Sequence, residues 1–187
     1  LWWQYHHSHR AIRTRPQAGH CSMILGFAHP AIVVQNLDRA TDFYCNAFGF
    51  RPLSEAFESW SNAPHIDAAT GLQGSSVRGR MLAGHNCFLE LFQFDSPSAT
   101  GPEPAQLKAH EPGIRHISFF VDDVEAEFNR VLSLGATALG TPQKHQGVTA
   151  VYLRDPEGNI VELAEVPQPE EDLRQLPGVD RLQGDTR

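Results

Sequence analysis

The strongest constraint on this chain is an internal repeat. Residues 27–34, FAHPAIVV, read as a strand. NLDRATDFYCNAF follows from Asn36, with Leu37, Ala40, Phe43, Tyr44 and Phe48 at helical spacing until Gly49 stops it. The same order returns later. Residues 114–121, IRHISFFV, read as a strand, and DVEAEFNRVLSLG then places Val124, Phe128, Val131 and Leu132 on one helical face before Gly135. Aligning His29 with His116 puts Val34 on Val121, Asn36 on Asp123 and Leu37 on Val124. Each half closes on an apolar-apolar-Glu-apolar strand after a turn. These are Phe88-Leu89-Glu90-Leu91 after Gly84-His85-Asn86, and Ile160-Val161-Glu162-Leu163 after Asp155-Pro156-Glu157-Gly158-Asn159. The pattern predicts an α+β fold of two paired β-α-β-β-β modules, over residues 27–94 and 114–166.

The His-to-Glu separation is 61 residues in the first half and 46 in the second. The surplus lies in SEAFESWSNAPHIDAATGLQGSS, residues 54–76, which is long and rich in Gly, Ser and Ala and predicts a loop covering or shaping a site. Residues 95–113, with four prolines, read as the linker between modules. Residues 1–22 have no hydrophobic period and carry a cluster of His6, His7 and His9, and read as an upstream or tag-like head ahead of a domain over 23–166. Residues 167–187, rich in Pro and charge, read as a flexible tail.

The 187 residues, 41% of them hydrophobic, supply enough apolar material for one filled core or two small ones sharing an interface. The net charge is −7, and residues 23–166 hold 17 acidic against 9 basic side chains. Such a body lacks the clustered Lys and Arg that nucleic acid or anionic lipid requires, so neither partner is expected. No stretch approaches the roughly 18–20 apolar residues of a membrane span. Three dispersed cysteines, Cys21, Cys45 and Cys87, suggest neither a disulfide framework nor a thiolate zinc site, and a cytoplasmic location is the expectation.

Four residues carry the candidate chemistry: His29, Glu90, His116 and Glu162, one His near the start of each first strand and one Glu within each last strand. A divalent cation needs neutral imidazole nitrogen and carboxylate oxygen converging from rigid elements, and two copies of one module supply such a set by symmetry. A carboxylate inside an apolar strand is costly unless it is paired, protonated or bound to metal, which makes Glu90 and Glu162 conspicuous. Phe92, Phe94, Phe119 and Phe120 occur in predicted strands and could line a cleft. Arg78, Arg80 and Arg115 alternate with apolar residues, and one of them could hold a substrate carboxylate.

Over residues 27–166 the sequence resembles the vicinal oxygen chelate superfamily, the glyoxalase, bleomycin-resistance and extradiol-dioxygenase group. The stretches HPAIVVQNLDRATDFYCNAFGF, FLELFQF, GIRHISFFVDDVEAEFNRVLSLGA and VYLRDPEGNIVELAEV carry the match. The resemblance implies an open metal-binding cup of glyoxalase-like fold and one divalent ion, Ni, Co, Zn, Mn or Fe. Its ligands would stand at His29, Glu90, His116 and Glu162. In layout the chain is similar to glyoxalase I and methylmalonyl-CoA epimerase. The Arg that grips glutathione in the former is here Val33, and the corresponding Asn is Phe94. The carboxylate base of the latter falls at Arg78.

The expected function is a metal-dependent lyase or isomerase of the glyoxalase or epimerase type, with Glu162 or Glu90 shuttling a proton on a small oxygen-chelating substrate. Arg78, Arg80, Phe92, Phe94 and Phe119 are the candidate substrate contacts. Two alternatives stand beside it: an Fe(II) extradiol-type dioxygenase, and a non-enzymatic drug-sequestering protein. The ligand set is compatible with a site within one chain or with one shared across a homodimer.

Overall fold

The computed structural model describes residues 26–54, 58–145 and 147–165. The expected head and tail lie outside them. The first module runs β1 (Ala31–Val33), α1 (Leu37–Phe48), β2 (Arg51–Pro52), β3 (Glu58–Ser61), α2 (Pro64–Thr70), β4 (Ser76–Ala83) and β5 (Phe88–Ser96). The second runs β6 (His116–Val121), α3 (Val124–Ser133), β7 (Thr137–Ala138), β8 (Gln143–His145), β9 (Val148–Arg154) and β10 (Ile160–Glu165). Each module forms one five-stranded sheet, ordered β1-β5-β4-β2 with β3 also on β4, and β6-β10-β9-β7 with β8 also on β9. The outer strand is parallel to the module's last strand, and the remaining pairs are antiparallel. This is the glyoxalase-like α+β fold of two modules, each one short strand richer than β-α-β-β-β.

Local chemistry sets the helix ends. Asn36 accepts from the Arg39 amide at 2.9 Å and Asp123 from the Ala126 amide at 3.0 Å, so both helices start on side-chain caps at the positions the repeat aligns. Gly49, at φ 68°, takes the left-handed conformation that ends α1. Residues 54–76 depart from the expected loop. They hold β3 and α2, because Pro64 suits the first helical turn and Gly71, at φ 74°, closes it.

The two modules share one core. Leu82, Leu89 and Leu91 of the first sheet and Val151, Leu153, Val161 and Leu163 of the second belong to a single cluster with Leu37, Phe43 and Tyr44 of α1 and Val124 and Val131 of α3. Burying these side chains contributes roughly 25 cal/mol for each Å² of apolar surface removed from water. Polar contacts lock the same interface. Arg39 pairs with Glu157, which also accepts from the Gln35 amide at 2.6 Å. Arg130 of α3 donates to the Asn46 and Ala47 carbonyls at the end of α1, where a cation complements the helix dipole. The DPEGN turn, read from sequence only as a turn, is therefore a clamp between modules. No helix among the described residues is long and apolar enough to cross a membrane.

Candidate metal centre

The shared-core residues alternate along β5 (Leu89, Leu91), β9 (Val151, Leu153) and β10 (Val161, Leu163), so the intervening residues point to the opposite, open face of each sheet. In the first sheet the β4–β5 register pairs Met81 with Glu90, Gly79 with Phe92 and Val77 with Phe94. In β1, Ala31 stands beside Glu90 and Val33 beside Phe92, and His29 precedes Ala31 by two residues. His29 and Glu90 thus meet on the open face, with Nε2 3.0 Å from Oε2 and side-chain exposures of 16% and 15%. In the second sheet Ile160 stands beside His116 and Glu162 beside Ser118, while Glu162 faces Tyr152 across β9. His116 Nε2 lies 3.4 Å from Glu162 Oε2, and the His116 ring tilts against Tyr152 with centroids 5.0 Å apart.

The four predicted ligands therefore come together as two pairs, one on each sheet. Among the described residues, no group of three or more His, Cys, Asp or Glu side chains is placed to hold a metal within one chain. Each pair fits half of such a centre. Two donors about 2.0–2.2 Å from one cation stand roughly 3.0–3.5 Å apart at tetrahedral or octahedral angles, the range in which both pairs fall.

Both pairs sit at sheet edges. Among the described residues β1 and β6 each pair on one side only, and both expose apolar side chains on or beside the open face: Val33 at 47% and Phe120 at 47%. Exposed edges of this kind are templates for further association.

Of the predicted substrate contacts, Phe92 and Phe94 lie on the Glu90 face, and the others do not. Arg80 is in register with Leu91 and Arg78 with Gln93, so both point toward α1. There Arg78 pairs with Asp38 at 3.4 Å and Arg80 donates to the Ser54 carbonyl at 2.8 Å. Phe119 stacks on Phe48 at 4.2 Å in the shared core, and Phe120, its neighbour, takes the His116 face instead. Arg115 lies against Gly113, just outside β6. A one-residue change of parity moves a side chain to the other face of a sheet, and local sequence does not carry that parity.

Sequence reasoning missed three features of the site. Tyr152 lies beside His116 and Glu162, and burial, with Glu162 adding to it, pushes its phenol above the usual value. Arg154, on the same face, donates to the Pro104, Leu107 and Gly158 carbonyls and so ties the linker to the second sheet. An open cavity of about 870 Å³ lies over that sheet, with Lys108, Thr141, Gln143, His145, Tyr152 and Glu162 in its lining. The alternation of Tyr152 and Arg154 with Val151 and Leu153 was the available signal. Cys45 and Cys87 are free thiols whose pKa values burial pushes up, which leaves them poor metal ligands.

The fold and the paired His–Glu strands define a class, and the family comparison agrees with it. The profile described as the Glyoxalase/Bleomycin resistance protein/Dioxygenase superfamily matches residues 26–163, and the chain belongs to that superfamily. Comparison with curated proteins returns no match. Among solved structures, a glyoxalase family protein from Bacillus cereus is similar at 24% identity and TM-score 0.68, over 80% of this chain and 98% of that one. A variant of the fosfomycin resistance protein FosX from Listeria monocytogenes, solved with Mn(II) and 1S,2S-dihydroxypropylphosphonic acid, is similar at 18% identity and TM-score 0.51. That match covers 81% of this chain and 98% of that one. These likenesses establish the fold.

Proposed function

We propose that the chain is a divalent-metal lyase or isomerase whose centre is shared by two copies, His29 and Glu90 of one copy meeting His116 and Glu162 of the other. The observation that carries this reading is the placement of each His–Glu pair on an open sheet face at an unpaired, apolar edge. A pair of donors leaves a cation short of the four ligands that N/O sites provide, and a twofold dimer supplies the missing pair twice.

A bound Ni, Co, Zn, Mn or Fe ion would polarise an oxygen of the chelated substrate and so acidify the neighbouring carbon. The chain's residues do the rest. The imidazoles present Nε2 to the centre, and Glu162 or Glu90 takes and returns the substrate proton as general base and acid. The Tyr152 phenol stands beside Glu162 and borders the cavity in which the substrate would lie. Two carboxylates favour this redox-neutral chemistry over oxygen activation, which needs open positions on iron.

The sequestering-protein alternative has one observation in its favour, the aromatic group of Trp60, Phe92 and Phe94 on the Glu90 face. Metal content separates the two readings. A His29→Ala/Glu90→Ala variant and a His116→Ala/Glu162→Ala variant should each lose stoichiometric metal. Mixed after dissociation and refolding, they should regain about one quarter of the sites, because half the dimers are mixed and each restores one site. Wild-type protein that folds and dimerises but retains no metal would overturn the enzyme reading in favour of the binder.

A further inference from the structure

The first sheet carries a second, separate apolar cluster. Trp60 of β3 is in register with Val77, which faces Phe94, so all three share the face of Glu90 and Phe92. Trp60 packs edge-on against Phe92 at 5.4 Å and 80° and against Phe94 at 6.5 Å and 89°. Val77 beneath them is 1% exposed, yet none of these residues belongs to the core shared by the modules, and the three rings stay half-buried.

The indole is fixed as well as packed. Its Nε1 donates to Ser75 Oγ at 2.9 Å, and Ser75, itself 0% exposed, hydrogen-bonds through its hydroxyl to Asp67 of α2. Asp67 also accepts from the Gly74 amide at 2.8 Å and the Ser75 amide at 3.1 Å. The polar edge of Trp60 is thereby turned into the protein, and the ring offers only apolar surface outward.

This cluster begins next to the metal pair. Phe92 is the next open-face residue after Glu90 along β5, about 7 Å away at the ordinary strand rise. The residues across β4 on that face, Met81, Gly79 and Val77, carry no charge, and the cations Arg78 and Arg80 point to the other side. Beside Phe92 on this face a flat apolar group finds three rings.

We propose that Trp60, Phe92 and Phe94 form the specificity wall of the centre, and that the molecule it takes carries an aryl group beside its two chelating oxygens. This rests on the metal-site reading above.

The test uses two probes with identical α-hydroxycarboxylate donors, mandelate with a phenyl group and lactate with a methyl group. Both are titrated calorimetrically into the Co(II)-loaded full chain, with the cobalt absorption spectrum reporting chelation. Mandelate should bind about tenfold or more tightly than lactate, the scale expected for covering one phenyl group. Trp60→Ala and Phe92→Ala should bring the ratio to near one while leaving lactate affinity and cobalt content unchanged. Trp60→Phe, which keeps an apolar ring and guards against a folding defect, should retain most of the preference. Equal, cobalt-dependent binding of the two acids by wild type would overturn the aromatic wall and leave the metal centre standing. A folded chain that holds no cobalt would overturn the metal-site reading, and the wall with it.

Discussion

The Tyr44 hydroxyl donates to Asp155 Oδ2 at 2.8 Å and joins the helix of the first module to the last turn of the second. Tyr44 is 0% exposed and Asp155 3% exposed, so the bond is out of water at both ends. Asp155 also accepts from the Glu157 and Asn159 amides and from the Asn159 side chain, which makes it the organising residue of the clamp. Tyr44→Phe leaves the carboxylate one partner short, and the expected loss is about 1–3 kcal/mol. Thermal unfolding should show a fall of several degrees in Tm, whereas Tyr152→Phe, on the open face, should leave Tm nearly unchanged.

The same carboxylate predicts a pH dependence. Burial pushes the Asp155 pKa above the usual carboxylate range, outweighing the bonds from Asn159, Tyr44 and the backbone that pull it down. The folded state then binds this proton more readily than the unfolded state. The contribution is fully present below the unfolded pKa and is lost as pH rises through the folded one. Measured against Asp155→Asn, which cannot titrate, wild-type stability should fall across that window and then level off. A rise over the same window would contradict the assignment.

Gly158 should tolerate no side chain. Its φ is 92°, and a Cβ there would lie 2.6 Å from the Ala105 amide nitrogen in the linker. Gly158→Ala should cost about 1–3 kcal/mol in strain at a left-handed position, with the clash added to it. Gly140→Ala, where nothing lies within 4 Å, is the matched control and should stay within about 0.5 kcal/mol. Chemical denaturation of both variants decides this.

Under the proposed function, the metal-loaded protein acting on its substrate should exchange a carbon-bound hydrogen with heavy water and consume no dioxygen. Glu162→Gln should slow that exchange by about 10² or more, the scale for losing a positioned base. Cobalt content measured alongside separates loss of the base from loss of the metal. Oxygen uptake with ring-opened catechol products would instead support the dioxygenase reading.

Glutathione chemistry should be poor. Val33 lies exposed on the edge strand and Phe94 within the aromatic cluster, and neither can grip a charged tripeptide. Isomerisation of the methylglyoxal-glutathione hemithioacetal should stay well below the roughly 10 per second of an ordinary enzyme. Turnover at that rate would restore the glyoxalase I assignment.

The repeat, the helix ends and the placement of Glu90, His116 and Glu162 on strands were legible in the sequence, because each rests on short-range chemistry, whereas His29, expected inside a strand over 27–34, stands two residues before β1. Asn36 and Asp123 cap helices through their own side chains, Gly49 adopts a left-handed conformation, and apolar periods of two and near four mark strand and helix. Tertiary structure alone decided which face each strand residue occupies. Register with the neighbouring strand turned Arg78 and Arg80 toward α1, sent Phe119 into the core in place of Phe120, and kept Phe92 and Phe94 beside Glu90. It also made the DPEGN turn a clamp, ordered β3 and α2 within the Gly- and Ser-rich segment, and held the four candidate ligands as two separate pairs. Those outcomes depend on contacts between residues tens of positions apart, whose register and packing are fixed only when the sheets and the shared core form together.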